Sequence, residues 1–190
     1  MNERVAKAAS LLRRLTYVRV LLVPVVMWLV LDDPFRRAFG VAAGLFAFAA
    51  ATDFFDGYLA RRWGATTTLG SFLDTTADKL LVSGVLVALV QIGRASPWIA
   101  AIIIGRELLI LGLRGVVAAD GTVMRPSIWG KLKANAQFLA IFLAILRIPP
   151  ELGPLFLDQW VMLVAAAVTV VSAVEYLARF SGSLSPSRRS

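Results

Sequence analysis

Residues 53–78 read DFFDGYLARRWGATTTLGSFLDTTAD and carry four aspartates within an otherwise apolar chain. Asp53 and Asp56 are three residues apart, and Asp74 and Asp78 are four apart, so each pair shares one face of a helix. A carboxylate in an apolar environment is costly unless its charge is neutralised. We therefore expect an antiparallel helix hairpin whose two pairs lie at the same depth and hold divalent cations.

The absence of other metal ligands narrows the choice of cation. The chain contains no His and no Cys, and an oxygen-only site suits Mg²⁺ or Mn²⁺ rather than Zn²⁺. A helix rises about 6 Å over four residues, so Asp74 and Asp78 can straddle two metals about 3.5–4 Å apart. The alternative interpretation is that the aspartates are loop acids or partners in ordinary salt bridges. It accounts well for any single aspartate. Four unpaired acids in a small volume of low dielectric would not all remain ionised.

The composition predicts an integral membrane protein. Of the 190 residues 58% are hydrophobic, with a mean hydropathy of +0.75, well above a soluble domain of this size. We expect one all-α membrane domain over residues 1–180, an N-terminal interfacial amphipathic helix over 2–14 and a disordered tail at 181–190. Six transmembrane helices are predicted by runs of span length, at 15–31, 38–59, 70–92, 98–117, 128–146 and 155–177.

The distribution of positive charge predicts the membrane topology, and the absence of His excludes several kinds of catalytic site. Lys and Arg concentrate at the N-terminus, the second and fourth loops and the tail, which predicts that both termini and the aspartates face the cytoplasm. The net charge of +8 is interpreted as topology and contact with anionic lipid, not as nucleic-acid binding. Without His, Ser–His triads are excluded and a general base must be a carboxylate, Lys or Tyr.

The aspartate pattern also resembles a known family. It reads D-x-x-D-G-x-x-A-R, eight residues, then G-x-x-x-D-x-x-x-D, and it looks like the signature of the CDP-alcohol phosphatidyltransferases. The resemblance implies transfer of a phosphatidyl group from CDP-diacylglycerol to an alcohol, with release of CMP, at the cytoplasmic face of a bacterial inner membrane. Similar enzymes are homodimers. The matching positions are Asp53, Asp56, Gly57, Ala60, Arg61, Gly70, Asp74 and Asp78.

The resemblance assigns roles to these residues. All four aspartates bind two divalent cations, Asp53 and Asp74 bridge both ions, and Asp78 is the general base. Gly57 and Ala60 lack bulk and let a nucleotide approach the helix. Further residues expected at the CDP-lipid site are Arg61, which can bind the diphosphate by two hydrogen bonds, Thr67 and Gly70.

A second similarity lies at the start of the first span, in L-T-x-x-R. It places Thr16 and Arg19 at the headgroup or phosphates of the lipid. The fuller family pattern has Asn and Pro just upstream, where this chain has residues 12–14. The alternative for Arg19 is that its side chain reaches outward from the span toward the membrane surface.

The acceptor alcohol is indicated by cations in the second half of the chain. Gly105-Arg106-Glu107 and the later Gly130-Lys131-x-Lys133 resemble a branch of the family whose acceptor is glycerol 3-phosphate. Its phosphate needs a cationic pocket, and Glu107 is expected to pair with a cation on a neighbouring span. Positive-inside topology explains the two lysines equally well, and inositol phosphate is an alternative acceptor. The predicted acceptor-phosphate residues are Arg106, Arg114, Lys131 and Lys133.

Two other classes of function could also account for an apolar chain that carries acidic residues. A cation transporter or channel also carries intramembrane acids, but its acids would be spread through the membrane depth instead of gathered at one face. A structural or lipid-organising protein leaves the aspartate cluster unexplained. Both alternatives are weaker than a metal-dependent transferase.

Overall fold

The computed structural model describes residues 3–35, 37–63, 68–119, 128–147, 151–152 and 154–183, with the side chains of 3–14, 53–72, 74, 119, 151–152 and 181–183 left out. Within these ranges the chain forms six helices and one two-stranded hairpin. The helices are α1 Glu3–Asp32, α2 Ala38–Trp63, α3 Thr68–Gln91, α4 Pro97–Ala119, α5 Ile128–Leu146 and α6 Leu157–Ser183. The strands β1 Glu151–Leu152 and β2 Leu155–Phe156 pair antiparallel between α5 and α6.

The all-α prediction is confirmed, and one helix corresponds to each of the six predicted spans. The prediction was wrong at residues 155–156, which form β2 instead of opening the last span. Pro154 directly precedes them and favours a turn. Asp158 follows in the first turn of α6, where a negative charge suits the N-terminal end of a helix.

The predicted N-terminal interfacial helix is not a separate element. α1 runs without interruption from Glu3 to Asp32 and includes Pro24. Thirty helical residues extend about 45 Å, which exceeds the hydrocarbon thickness of about 30 Å. Part of α1 must therefore lie beyond the hydrocarbon core, and the first turns fit the membrane interface.

Three helical segments in the described part of the chain are long and apolar enough to cross a membrane. They are Leu15–Asp32, Ile128–Leu146 and Leu157–Phe180, and Ala38–Thr52 is a shorter apolar segment. α3 and α4 each contain three charged residues close together, which lowers their apolar character. Large apolar side chains such as Leu21, Trp98 and Ile128 are exposed, as expected for surfaces that meet lipid. Six spans remain a prediction.

The helices pack around one buried apolar core. α1 packs against α2 and α3, α5 packs against α6, and α4 contacts α3 and α6. Phe46 of α2 and Phe138 of α5 meet with ring centroids 5.8 Å apart. Fully buried members include Val26, Phe46, Leu86, Ile103 and Ile141.

Gly84 allows α1 and α3 to approach closely. A Cβ atom placed there would lie 2.8 Å from Val23 Cγ1 and 3.0 Å from Met27 Sδ. We expect Gly84→Ala to lower the free energy of unfolding by about 1–3 kcal/mol through overpacking, measured by chemical unfolding in detergent micelles.

Gly44→Ala is the matched control, since an added Cβ at Gly44 meets nothing within 4 Å. Alanine there should be neutral or stabilising because it has the higher helix propensity. Equal effects of the two substitutions would contradict the close α1–α3 contact.

The distal end of the bundle is the end at which α1, α3 and α5 finish and α2, α4 and α6 begin, and two arginines hold it together. Arg94 donates hydrogen bonds to the carbonyl oxygens of Ala144 and Ile145 and lies 3.9 Å from the ring centre of Phe39. Arg147 pairs with the buried Asp158 at 3.7 Å. Burial lowers the pKa of the Arg94 guanidinium. These contacts tie α2, the α3–α4 loop, α5 and α6 together at this end, and the opposite end of the bundle is called the proximal end.

Candidate functional site

Helix α3 carries the one carboxylate of the aspartate pattern whose side chain the structure describes. Asp78 is half-buried, and its charge is influenced by Lys79, Lys133, Glu107 and Arg19. These residues belong to α1, α3, α4 and α5. Four helices therefore bring charged groups to one region of the bundle, beside the aspartate pattern.

Glu107 is the centre of a buried ion-pair network. Its Oε2 lies 2.7 Å from Lys79 Nζ, and its Oε1 contacts Lys133 Nζ and lies 3.3 Å from Arg106 Nη1. The Glu107 side chain is only 3% exposed, against 7% for Lys133, 10% for Arg106 and 17% for Lys79. Buried charges need partners, and here three cations share a single carboxylate. The expected pairing of Glu107 with a cation on a neighbouring span is confirmed.

The charge balance of this region favours an anionic ligand. Within electrostatic range of Asp78 and Glu107 lie the cations Lys79, Arg106, Lys133 and Arg19. Lys79, Arg106 and Lys133 share the Glu107 carboxylate, so cations outnumber carboxylates at this network among the side chains that the structure describes. Because buried charge needs compensation, a phosphate is a suitable ligand for these three cations.

Polar residues of α5 and α6 extend the network. Arg106 Nη2 donates a hydrogen bond to Ser172 Oγ at 2.8 Å. Deeper in the bundle, Gln137 Nε2 donates to Thr169 Oγ1 at 2.9 Å, and Thr169 donates to the carbonyl oxygen of Ala165. Gln137 and Thr169 are 2% and 0% exposed. These hydrogen bonds fix the side of α6 that faces the cations.

The position of Arg19 excludes one of its two interpretations. Its side chain is 1% exposed and Thr16 is 6% exposed, so Arg19 does not reach outward to the membrane surface. The bulky guanidinium is accommodated inside the bundle, within electrostatic range of Asp78. Thr16 and Arg19 therefore lie on the interior face of α1.

The structure brings two of the four predicted acceptor residues together. Arg106 and Lys133 meet at Glu107. Arg114 and Lys131 have exposed side chains, and no contact joins them to the network among the side chains that are described. Their predicted role is untested.

Most of the predicted donor site falls outside the described residues. Thr67 lies outside the described residues. At seven further positions the structure describes the helical backbone but not the side chain. Those seven are Asp53, Asp56, Gly57, Ala60, Arg61, Gly70 and Asp74.

The sequence interpretation missed several members of this region. Lys79 adjoins the aspartate pattern but was not included in it, and Gln137 follows Lys133 by one helical turn. In α6 the signal was periodic: Thr169, Ser172 and Tyr176 are spaced three and four residues apart in an apolar helix. That spacing places them on one face, and polar residues on one face of an apolar helix point to the bundle interior.

The backbone course of α2 and α3 fits a shared metal centre. The two helices contact one another and are joined by the four residues 64–67, so they run antiparallel. Asp53 and Asp78 are each ten residues from this connection, or about 15 Å along the axis, and Asp56 and Asp74 lie about 9–11 Å from it. The pairs therefore lie at matching depths, and their hard oxygen donors suit Mg²⁺ or Mn²⁺.

Comparison with known proteins gives a consistent result. The sequence model of the CDP-alcohol phosphatidyltransferase family matches residues 12–171. A CDP-diacylglycerol–glycerol-3-phosphate 3-phosphatidyltransferase of Bacillus subtilis (strain 168) is 37% identical, covering 90% of this chain and 94% of the relative. Its Pseudomonas fluorescens counterpart of the same name is 39% identical, covering 86% of each. A probable phosphatidylglycerophosphate synthase of Mycobacterium tuberculosis (strain ATCC 25618 / H37Rv) is 38% identical, covering 92% of this chain and 83% of the relative.

Proposed function

Because this chain belongs to the CDP-alcohol phosphatidyltransferase family and is an enzyme of that family, we propose that it transfers the phosphatidyl group of CDP-diacylglycerol to glycerol 3-phosphate. The products are phosphatidylglycerophosphate and CMP. The observation that carries the acceptor assignment is the buried excess of cations at Glu107, where Lys79, Arg106 and Lys133 share one carboxylate. A phosphate offsets this excess, whereas a neutral alcohol does not. The names of the relatives support the same substrates.

The donor lipid binds at the proximal half of α2 and α3. The family in general depends on divalent cations, and Asp53, Asp56, Asp74 and Asp78 would hold two Mg²⁺ or Mn²⁺ ions. When bound, these ions offset charge on the diphosphate and on the departing CMP. Gly57 and Ala60 leave room for the nucleotide, and Arg61 donates hydrogen bonds to the diphosphate. The other residues of the CDP-lipid site are Thr67, Gly70, Thr16 and Arg19.

The acceptor is bound and activated by residues of α3, α4 and α5. Arg106 and Lys133 hold its phosphate, with Arg114 and Lys131 assisting nearer the proximal end. Asp78 removes the proton from the attacking hydroxyl. That oxygen then forms a bond to the phosphorus nearer the diacylglycerol, and the bond from this phosphorus to the oxygen of the CMP phosphate breaks. Because Lys133 and Glu107 both influence Asp78, one small acceptor can reach the base and the cations together.

The membrane arrangement is part of the proposal. The Lys and Arg distribution supports a bacterial inner-membrane enzyme with both termini and the active site facing the cytoplasm. A cytoplasmic site gives access to a soluble acceptor while the acyl chains of the donor stay in the bilayer. We propose a homodimer on the basis of similar enzymes.

Release of CMP from CDP-diacylglycerol by purified protein in detergent micelles tests the function. With Mg²⁺ or Mn²⁺ present, glycerol 3-phosphate should support turnover at least about 10²-fold better than glycerol, because only the phosphate satisfies the cations. A chelator should remove the activity, and restored metal should return it. Turnover with inositol phosphate but not glycerol 3-phosphate would move the acceptor assignment to the alternative branch. Equal rates of CMP release with glycerol 3-phosphate and with glycerol would contradict the proposal that these cations bind the acceptor phosphate.

Family membership also decides between classes of function. It favours a transferase over a cation transporter, since the relatives are phosphatidyltransferases. Metal uptake into sealed proteoliposomes without any CDP-lipid would be needed to revive the transporter hypothesis.

A further inference from the structure

The interior face of α6 carries three hydroxyl groups, and two of them have described partners. Thr169 and Ser172 are 0% and 1% exposed and are engaged by Gln137 and Arg106. Tyr176 lies one turn beyond Ser172 on the same face and is 8% exposed. α6 starts at the distal end, so Tyr176 is the one of these three residues nearest the proximal end.

The Tyr176 hydroxyl has no hydrogen-bond partner among the described residues, although it is buried. The same is true of Arg106 Nε, whose guanidinium is held by Ser172 and Glu107 on its other nitrogens. A buried polar group without a partner is costly and calls for an explanation such as a ligand. Both groups can donate a hydrogen bond, and among the described side chains Arg106 belongs to a network in which three cations share one carboxylate.

A phosphate satisfies both requirements together. It has several acceptor oxygens and carries negative charge, which suits the three cations Lys79, Arg106 and Lys133 that share the Glu107 carboxylate. Ser172 of α6 anchors the guanidinium of Arg106, which comes from α4, at 2.8 Å, and Tyr176 lies one turn further along the same face of α6. A phosphate held by Arg106 beside Ser172 would therefore be about one helical turn from the position of Tyr176.

We propose that Tyr176 is an acceptor-binding residue whose hydroxyl donates a hydrogen bond to the phosphate of the acceptor, beside the Nε of Arg106. Ser172 is the positioning residue that orients the guanidinium for this contact. The inference rests on the proposed function, because it names a further contact of the same acceptor site. It adds α6 to the helices that select the substrate.

The substitution Tyr176→Phe tests the contact by removing one oxygen and keeping the ring. We expect the KM for glycerol 3-phosphate to rise about tenfold, with kcat and the KM for CDP-diacylglycerol unchanged within about twofold. The melting temperature without substrates should stay equal or rise, since a buried hydroxyl without a partner is removed. Tyr17→Phe is the matched control, because Tyr17 is 56% exposed on α1, and it should leave all these values unchanged.

A binding measurement makes the result independent of turnover. Glycerol 3-phosphate should raise the melting temperature of the wild type more than that of the Tyr176→Phe variant. Equal ligand-induced shifts, or an unchanged KM, would overturn the role of Tyr176 while leaving the proposed function intact. A lowered melting temperature with an unchanged KM would make Tyr176 purely structural. If the wild type neither binds nor uses glycerol 3-phosphate, both the proposed function and this inference are rejected.

Discussion

Replacing Asp78 with Asn is expected to lower kcat for CMP release by about 10²–10⁴-fold, the usual contribution of a general base. Asparagine has nearly the same shape but cannot accept the proton of the acceptor hydroxyl. Its amide oxygen still offers a ligand to a divalent cation. The measurement is CMP release from CDP-diacylglycerol with saturating glycerol 3-phosphate, alongside Mn²⁺ binding followed by electron paramagnetic resonance.

The control for this variant is Asp33→Asn. Asp33 is exposed at the distal end and has a φ of 39°, a conformation that asparagine tolerates well. The control should therefore retain full activity. Full activity of Asp78→Asn would end the assignment of Asp78 as the base. Loss of both Mn²⁺ binding and turnover would reduce its role to metal ligation.

Replacing Glu107 with Gln should produce the largest loss of stability. The substitution removes the negative charge that Lys79, Arg106 and Lys133 share, and it leaves three cations in a buried region. Breaking a buried ion pair by removing one partner typically costs about 3–5 kcal/mol. We expect a decrease of that size in the free energy of unfolding, measured by chemical unfolding in detergent micelles, and a disturbed KM for glycerol 3-phosphate.

Glu175→Gln is the matched control for the Glu107 variant. Glu175 pairs with Arg179 four residues later on α6 at 2.6 Å, but the Arg179 side chain is 53% exposed. An exposed pair of this kind contributes at most about 1 kcal/mol. Similar losses for the two substitutions would show that Glu107 is not the centre of a buried network.

A double variant separates charge balance from packing. Adding Lys133→Met to Glu107→Gln removes one of the unpaired cations and keeps a side chain of similar length. If charge balance is the cause, the double variant should recover part of the lost stability, because replacing a buried ion pair by apolar groups is often nearly neutral. If the free energy of unfolding instead falls by the sum of the losses of the two single variants, the two sites act independently and packing dominates.

Local patterns explain which features were predictable. The six helices follow from long apolar runs separated by turn residues, because each helix satisfies its own backbone hydrogen bonds. The pairing of aspartates at helical spacing needs only the geometry of one helix. Residues 155–156 were assigned to the wrong element because an apolar run does not distinguish a helix start from a short strand.

Contacts between distant segments explain what was missed. Lys79, Ser172 and Tyr176 are unremarkable one at a time, since a single Lys or Ser in a helix carries no information about what it faces. Arg19 had two equally plausible directions in the sequence, and only its burial decides between them. Arg106 and Lys133 have a common partner in Glu107, whereas Arg114 and Lys131 are exposed, and the sequence alone did not separate these two pairs.

By itself, the sequence determined the class of the protein: an all-helical membrane chain with a paired-aspartate hairpin and no histidine or thiol chemistry. These properties depend on composition and on spacing within single helices, which short-range geometry governs. Only the tertiary structure decided that Lys79, Arg106 and Lys133 converge on one carboxylate and that α6 presents hydroxyl groups to them. That convergence depends on how four helices rotate and pack, and packing is set by side-chain complementarity between segments far apart in the chain.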